Sequence, residues 1–315
     1  MNKINKKTNQ YTKIWAIIIL LLSTIYGVFF EEINKSLALP NNNVQTTFKE
    51  DTNNKSNEKN ELAVSFLDVG QADSILISNQ NEYMIIDGGN NNDGPLLVDY
   101  FKSLNIDDFK YLVGTHPHED HIGGLDDIIK NFNIEKIYLP DAITTTKTFE
   151  DLLDAIDNKN LTYSVPKIND TFKIGAATVK VIYTGTDTND LNNTSIVLKL
   201  TYKDISFLFT GDTTSTTEKK LLNSDITANV LKIGHHGSKY SSTNEFLKKV
   251  NPQYAIISVG KNNIYNHPAK STIQKLEKYN IKTYRTDELG TITFKTDGKN
   301  IKIETNKTNT DGDQK

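Results

Sequence analysis

The sequence predicts an α/β protein in which two packed β-sheets are flanked by helices. Three observations carry that prediction. Strand-like apolar runs and helix-like amphipathic segments alternate from Glu61 to Glu304, as in layered α/β domains. Apolar residues make up 37% and aromatics 9% of the 315 residues, enough for a large core and too little for a multi-pass membrane protein. The chain has no cysteine, which excludes disulfides, thiolate ligands and thiol nucleophiles.

Taken in order, residues 1–13 carry Lys3, Lys6, Lys7 and Lys13 and no acidic residue, and Ile14 to Phe30 is an apolar run broken only by Ser23, Thr24 and Gly27. As a helix that run would span roughly 25 Å, the short end of what crosses a bilayer. The lysines before it predict a single-pass anchor with residues 1–13 cytoplasmic and the remainder outside the cell. A cleaved signal peptide that releases the chain is the alternative. Residues 31–60 read as a disordered linker and 305–315 as a disordered tail, leaving 61–304 as the folded domain.

Within that domain the strand-like runs are Leu62–Leu67, Ser74–Ile77, Tyr83–Ile86, Tyr111–Val113, Lys136–Leu139, Val179–Tyr183, Ser195–Leu200 and Ile205–Phe209, then Asn229–Ile233, Tyr254–Val259, Thr283–Arg285, Thr291–Phe294 and Ile301–Ile303. The helix-like segments are Pro95–Ser103, Leu125–Phe132, Phe149–Asp157, Thr216–Asn223, Thr243–Val250 and Lys270–Tyr279. The first is supported by Leu96, Val98, Phe101 and Leu104, the last by Ile273, Leu276 and Tyr279. Ser242-Thr243 and Ser271-Thr272 are the expected helix caps.

One stretch organises the chemistry. His116-Pro117-His118-Glu119-Asp120-His121 gathers three of the six histidines and an aspartate directly after the apolar run Tyr111–Gly114. Imidazole nitrogen and carboxylate oxygen are ligands of zinc and related divalent metals. A strand ending here can project His116 and His118 to one side, because alternate strand residues share a face. Asp120 and His121 then lie on the turn, in reach of a second ion, and Gly123-Gly124 lets the backbone bend tightly before the next helix. The density of ligands argues against a chance cluster on a surface loop.

Two later strand ends extend the pattern. Phe209-Thr210-Gly211-Asp212 delivers a lone carboxylate, a weak signal alone because Gly-Asp turns are common. Lys232-Ile233-Gly234-His235-His236-Gly237-Ser238 is stronger, since adjacent histidines after a buried strand would both need buried partners. His267 sits in a separate loop, where it either approaches the site or caps the following helix.

Net charge is −3, so the whole chain is no polycation, but the charge is unevenly spread. Glu61 to Leu231 carries 13 basic and 26 acidic residues, Lys232 to Lys302 carries 13 and 5. The basic segment either meets an anionic ligand or is a set of solvated lysines on outer helices.

The ordered motifs carry a resemblance. Leu67-Asp68-Val69-Gly70-Gln71-Ala72-Asp73-Ser74, Ile86-Asp87-Gly88-Gly89, the histidine nest, Asn192-Asn193-Thr194-Ser195, Thr210-Gly211-Asp212, Gly234-His235-His236-Gly237-Ser238 and Asn266-His267-Pro268 follow one another. Together they resemble the metallo-β-lactamase superfamily of metal-dependent hydrolases, and more closely the metal-hydrolase domain of ComEC-type competence proteins, which handle incoming DNA. The resemblance implies a four-layer αββα sandwich and two divalent metal ions, Zn2+ or Mn2+. His116 and His118 would hold one ion and Asp212 would bridge. Asp120, His121 and either His235 or His236 would hold the other, His235 being favoured by the glycine directly before it. Asp87 would orient a ligand histidine. Asp120 would orient the nucleophile, and His267 would bind or protonate substrate. Asn192 and Ser238 would contact substrate, and Lys239 would either contact its phosphate or stand solvated on the surface. Two departures qualify this: Ala72 stands where the family often has glycine, and the chain lacks the many membrane helices of a DNA channel. As in the ComEC-like branch, no further histidine lies between the nest and Asp212, where the superfamily typically has one.

The expected function is a membrane-tethered, extracytoplasmic metal-dependent hydrolase, a phosphodiesterase or nuclease acting on DNA, single-stranded DNA being the expected partner. One alternative is a phosphoesterase acting on small or cell-wall phosphoesters. The other is a non-catalytic DNA-binding module of the same fold, which would show salt-dependent binding without hydrolysis.

Overall fold

The computed structural model describes residues 61–186 and 189–306. The expected cytoplasmic N-terminus, the anchor at 14–30, the linker at 31–60 and tail residues 307–315 lie outside the described residues. Among those described, no helix is long and apolar enough to cross a membrane.

The first sheet is formed by β1 (Leu62–Phe66), β2 (Ser74–Asn79), β3 (Glu82–Gly88), β4 (Asp108–Val113), β5 (Asn133–Tyr138), β6 (Tyr163–Ser164), β14 (Ile292–Thr296) and β15 (Ile301–Thr305), in the order β15-β14-β1-β2-β3-β4-β5-β6. The second contains β7 (Thr171–Ile174), β8 (Ala177–Tyr183), β9 (Val197–Tyr202), β10 (Ile205–Phe209), β11 (Val230–Lys232), β12 (Tyr254–Ile257) and β13 (Lys282–Arg285), in the order β13-β12-β11-β10-β9-β8-β7. Each sheet changes character along its width. From β15 to β3, and from β7 to β10, neighbours are antiparallel; from β3 to β6, and from β10 to β13, they are parallel. Parallel pairs need crossovers, and here helices supply them. These are α1 (Gly94–Ser103), α2 (Glu119–Ile122), α3 (Leu125–Asn131) and α4 (Lys147–Asn158) on the first sheet, and α5 (Ser215–Leu221), α6 (Asn244–Val250) and α7 (Lys270–Lys278) on the second, while the short α8 (Thr286–Leu289) leads from β13 back to β14 of the first sheet.

Alternation along the strands builds the layers. Leu62, Val64, Phe66, Ile75, Ile77, Met84 and Ile86 pack against Val179, Val181, Leu198, Leu200, Phe207 and Phe209 of the facing sheet. The intervening Leu76 and Ile85 join Leu97, Phe101, Ile128 and Leu152 beneath the first helices. Leu208, Leu231, Ala255 and Ile257 join Leu221, Phe246 and Leu276 beneath the second. Three apolar layers therefore separate helix, sheet, sheet and helix, which is the expected αββα sandwich. Phe66 stands at the centre, its ring 6.2 Å from Phe209 and 6.1 Å from Phe294. Truncating such a side chain costs about 3–5 kcal/mol.

Local expectations needed adjusting in several places. Helix α1 buries Leu97, Val98 and Phe101, whereas Leu96 and Leu104 are exposed, so the apolar stripe is shifted from the expected one. Thr243 caps α6, its hydroxyl accepting from Phe246 N–H at 3.3 Å. Ser271-Thr272 caps nothing, because α7 already begins at Lys270; Thr272 instead donates to the Ser238 carbonyl at 3.0 Å. Strand β15 runs through Thr305, one residue into the expected tail.

Candidate metal centre

The parallel strands place the chemistry, because their C-terminal ends open onto one crevice. Beyond β4, Thr115 donates from its backbone N–H and its hydroxyl to the Asp87 carboxylate, at 2.7 and 2.8 Å. Asp87 itself lies near the end of neighbouring β3. His118 is extended and precedes α2, so Asp120 and His121 fall in the first turn of that helix. Gly123 and Gly124 serve close approach rather than unusual dihedrals: φ is −56° and −91°. A Cβ on Gly123 would lie 2.3 Å from the Asn90 carbonyl carbon and the Asn91 nitrogen. Glycine is thus what lets the nest sit against the 88–91 backbone.

Four groups converge. Donor atoms of Asp120, His121, Asp212 and His236 lie within 4.8 Å of one another. His121 Nε2 is 3.3 Å from Asp212 Oδ1. His236 Nε2 is 3.3 Å from Asp120 Oδ2 and 3.6 Å from Asp212 Oδ2. The opposite nitrogens are held from behind, His121 Nδ1 by Asp87 at 2.8 Å and His236 Nδ1 by the Ser258 carbonyl at 2.9 Å. Acceptors at Nδ1 hold each ring from behind and aim Nε2 inward, the usual arrangement of a metal-ligating histidine. Beside them, His116 Nε2 lies 3.0 Å from His118 Nδ1, and the rings of His116 and His121 are 4.1 Å apart.

Whether a divalent ion fits can be read from unsatisfied atoms. His121 Nε2, His236 Nε2 and Asp212 Oδ1 are buried and make no hydrogen bond, although they face each other at ion-pair distances. Native interiors rarely leave such atoms unmatched. Carboxylate and imidazole donors are also the right chemistry for Zn2+ or Mn2+. The residues fit the group.

The electrostatics agree. Burial pushes the His116 imidazole well below its ordinary value, helped by the nearby His121 charge, so it is neutral. For His121, burial is outweighed by Asp212, Asp87 and Asp120, and the value rises well above normal. For His236, burial is likewise outweighed, by Asp212 and Asp73, to about 10. Burial would raise the Asp120 and Asp212 carboxyls, but the histidine charges lower Asp120 to about 2 and Asp212 well below normal. A cation binding at this cluster would therefore displace protons.

The histidine pair resolves differently from the sequence expectation. His235 and His236 both have left-handed backbone, φ 53° and 49°, so the turn sends their side chains apart. His236 is buried in the cluster, whereas His235 Nε2 is 3.9 Å from Asp212 and its side chain is 25% exposed. His236, not the favoured His235, takes the ligand position, and His235 stands on the rim.

The remaining expected residues fall into two groups. A cavity of about 450 Å3 opens on the cluster and is bordered by His118, Asp120, Asn192, Asp212, His236 and His267. Asn192 Oδ1 is buried there without a partner. Burial, then the charges of His235 and His236, lower His267 to about 4; a neutral ring suits hydrogen bonding better than delivery of charge. By contrast, Ser238 is buried and its hydroxyl accepts from Tyr240 N–H at 3.3 Å. Exposed Lys239 lies over the Tyr240 ring at 5.0 Å. Of the other motif residues, Ser195 accepts from Asp212 N–H at 3.1 Å and so sets that turn, and Asn193 binds Thr214 and Thr217.

Sequence reasoning gave no role to Lys232. It is fully buried and pairs with Asp73 at 2.8 Å, while Asp73 lies 3.4 Å from His236 Nδ1. A lysine closing the otherwise apolar strand β11 was the available signal. Gln71 and Glu119 also border the cavity. Gln71 accepts from Gly260 N–H at 3.1 Å, tying a loop of the first sheet to one of the second, and Glu119 accepts from Asn91 N–H at 2.7 Å, joining two loops of the first sheet.

Comparison with known proteins agrees with this geometry. Residues 67–261 match the family model described as the metallo-beta-lactamase superfamily. The chain is 30% identical over 253 residues to ComE operon protein 3 of Bacillus subtilis, covering 74% of this chain and 33% of that protein. It is 27% identical over 242 residues to competence protein ComA of Neisseria gonorrhoeae, covering 75% and 32%. The chain thus spans about a third of the length of these curated relatives. Among solved structures, Igni18, a metallo hydrolase from Ignicoccus hospitalis, superposes with a TM-score of 0.51 at 17% identity, covering 74% of this chain and 98% of that one. That likeness speaks for the fold alone. Family model, relatives and the inward-facing ligand set converge: the chain belongs to the metallo-beta-lactamase superfamily of metal-dependent hydrolases and is related to competence proteins.

Proposed function

We propose that the chain is a two-metal phosphodiesterase that acts on DNA, tethered to the cell membrane through residues 14–30 with its hydrolase domain outside the cell. The observation that carries the hydrolytic reading is the convergence of Asp120, His121, Asp212 and His236, with unmatched inward atoms, on a cavity open to substrate. DNA as substrate is supported by the similarity to proteins named for competence and by the basic segment from Lys232 to Lys302. The lysine-preceded apolar run supports the anchor, with cleavage of a signal peptide as its alternative.

His116, His118 and Asp212 would hold one ion, and Asp120, His121, Asp212 and His236 the other. Bound Zn2+ or Mn2+ would supply Lewis acidity, activating water near neutral pH and offsetting charge that develops on phosphate oxygens. The chain's own residues do the positioning. Asp87 and the Ser258 carbonyl fix the two histidine rings from behind. Asp120, at the mouth of the cluster, would accept a proton from the attacking water. Neutral His267 and the Asn192 amide would hydrogen-bond the substrate at the cavity wall.

The test is hydrolysis of a single-stranded oligonucleotide and of bis(p-nitrophenyl) phosphate, each with Mn2+ and with Zn2+, with Asp120→Asn as control. Turnover of both substrates, lost in the control, is expected. Turnover of small phosphomonoesters alone would replace the DNA reading with the cell-wall phosphoester one. Turnover of nothing, with DNA still bound, would leave a binding module.

A further inference from the structure

His235 borders three hollows whose chemistry differs. The metal cleft holds Glu119, Asp120 and Asp212. A second cavity, about 450 Å3, is bordered by Asp190, whose carboxylate is occupied by Asn192 N–H and the Asn193 amide. A third, about 590 Å3, has Lys239 and Lys270 on its wall and, among the described residues, no acid. That third cavity also carries Tyr240 and Tyr265, 62% and 60% exposed. Isolated surface aromatics need no explanation. Two of them sharing a cavity with two lysines beside a cleft for phosphate do.

His235, Tyr265 and His267 border both the cleft and this cavity. The rings of His235 and His267 meet edge to face at 5.6 Å. Both Nδ1 atoms are buried and have no hydrogen-bond partner, although such nitrogens are normally matched. The walls are also pre-set. The Tyr240 carbonyl accepts from Ser215 N–H at 2.8 Å. Asn263 accepts from His267 N–H at 2.9 Å and donates to the Gly260 carbonyl at 2.9 Å, tying the loop that carries Tyr265. Tyr265 stacks on His267 with ring centroids 5.8 Å apart.

We propose that this cavity is a nucleotide subsite, in which a single-stranded polynucleotide leaving the metal cleft over the His235–His267 pair lays its next base against Tyr240 or Tyr265 and its phosphate against Lys239 and Lys270. The proposal rests on the phosphodiesterase reading and deepens it, because a small phosphoester would fill the cleft without reaching Lys239, Tyr240 or Lys270, which border the neighbouring cavity and not the cleft. Every base offers a π-face and every linkage a negative charge, so the subsite grips strands regardless of sequence.

The experiment measures binding apart from turnover. The metal-loaded full chain is titrated against a labelled phosphorothioate oligothymidylate by fluorescence anisotropy, at several salt concentrations. The Tyr240→Ala/Tyr265→Ala and Lys239→Ala/Lys270→Ala double variants are compared with it, and all four side chains are exposed. Metal content and thermal midpoint check folding. The tyrosine variant is expected to lose about tenfold or more in affinity. The lysine variant is expected to weaken binding and to flatten the slope of log K against log salt by about 1.4. Affinity and slope unchanged in both variants, or no strand binding by the wild-type chain, overturns the subsite even if phosphodiesters are hydrolysed. Binding that falls as expected in a chain that hydrolyses no phosphodiester keeps the subsite and removes the catalytic reading instead.

Discussion

The nest between β4 and α3 supplies half of the site from one short loop, whereas Asp212 and His236 arrive singly from the ends of β10 and β11. In the nest, local chain geometry sets the donors: an extended His118, one helical turn and two glycines pressed on the 88–91 backbone. On the other side the second sheet does the placing, and two left-handed residues decide which histidine faces in. Donors close in sequence are robust to tertiary context; donors far apart depend on it.

The largest expected effect tests whether the halves share ions. Asp212→Ala should cut phosphodiester turnover by about a thousandfold or more, as removal of a residue acting within a unit does. More than a tenth of wild-type activity would mean that the nest works alone. His236→Ala should approach the same loss, while His235→Ala should cost less than about tenfold, since only the former leaves an ion short of a ligand. Equal losses would return His235 to the ligand set. Asp87→Asn should weaken metal binding by about 10–100-fold in a chelator competition, because Asp87 aims His121 rather than touching the ion. Behind the second half, Lys232→Met strands the buried Asp73 charge and should cost about 3–5 kcal/mol of stability, a drop of about 10 °C in the melting midpoint. The smallest effect is the pH response. Against burial, Asp212 and Asp73 hold the His236 imidazole at about 10, so a cation binding there must displace a proton. Apparent metal affinity should rise about tenfold per pH unit, for each proton released, between pH 6 and 8. A flat profile would contradict the protonated cluster.

The same contrast explains what could be read from the chain. The short apolar runs of β1, β2 and β3 announced strands, and the nest announced metal, because both patterns are local. The turn at 234–237 was visible, but which histidine it turns inward depends on the Ser258 carbonyl from β12's loop, a contact with no sequence signal. The Asp73–Lys232 pair was hidden for the same reason: its partners are 159 positions apart and meet only through both sheets. Short strands such as β6 and β7 were missed because two or four residues carry too little periodicity to stand out.

The measurement closest to the central claim is metal stoichiometry of the purified chain by mass spectrometry, for the wild type and the His236→Ala and His235→Ala variants. Two equivalents for the wild type and His235→Ala, falling to one in His236→Ala, is the predicted result. Less than one equivalent in the wild type, unchanged by either substitution, would contradict it.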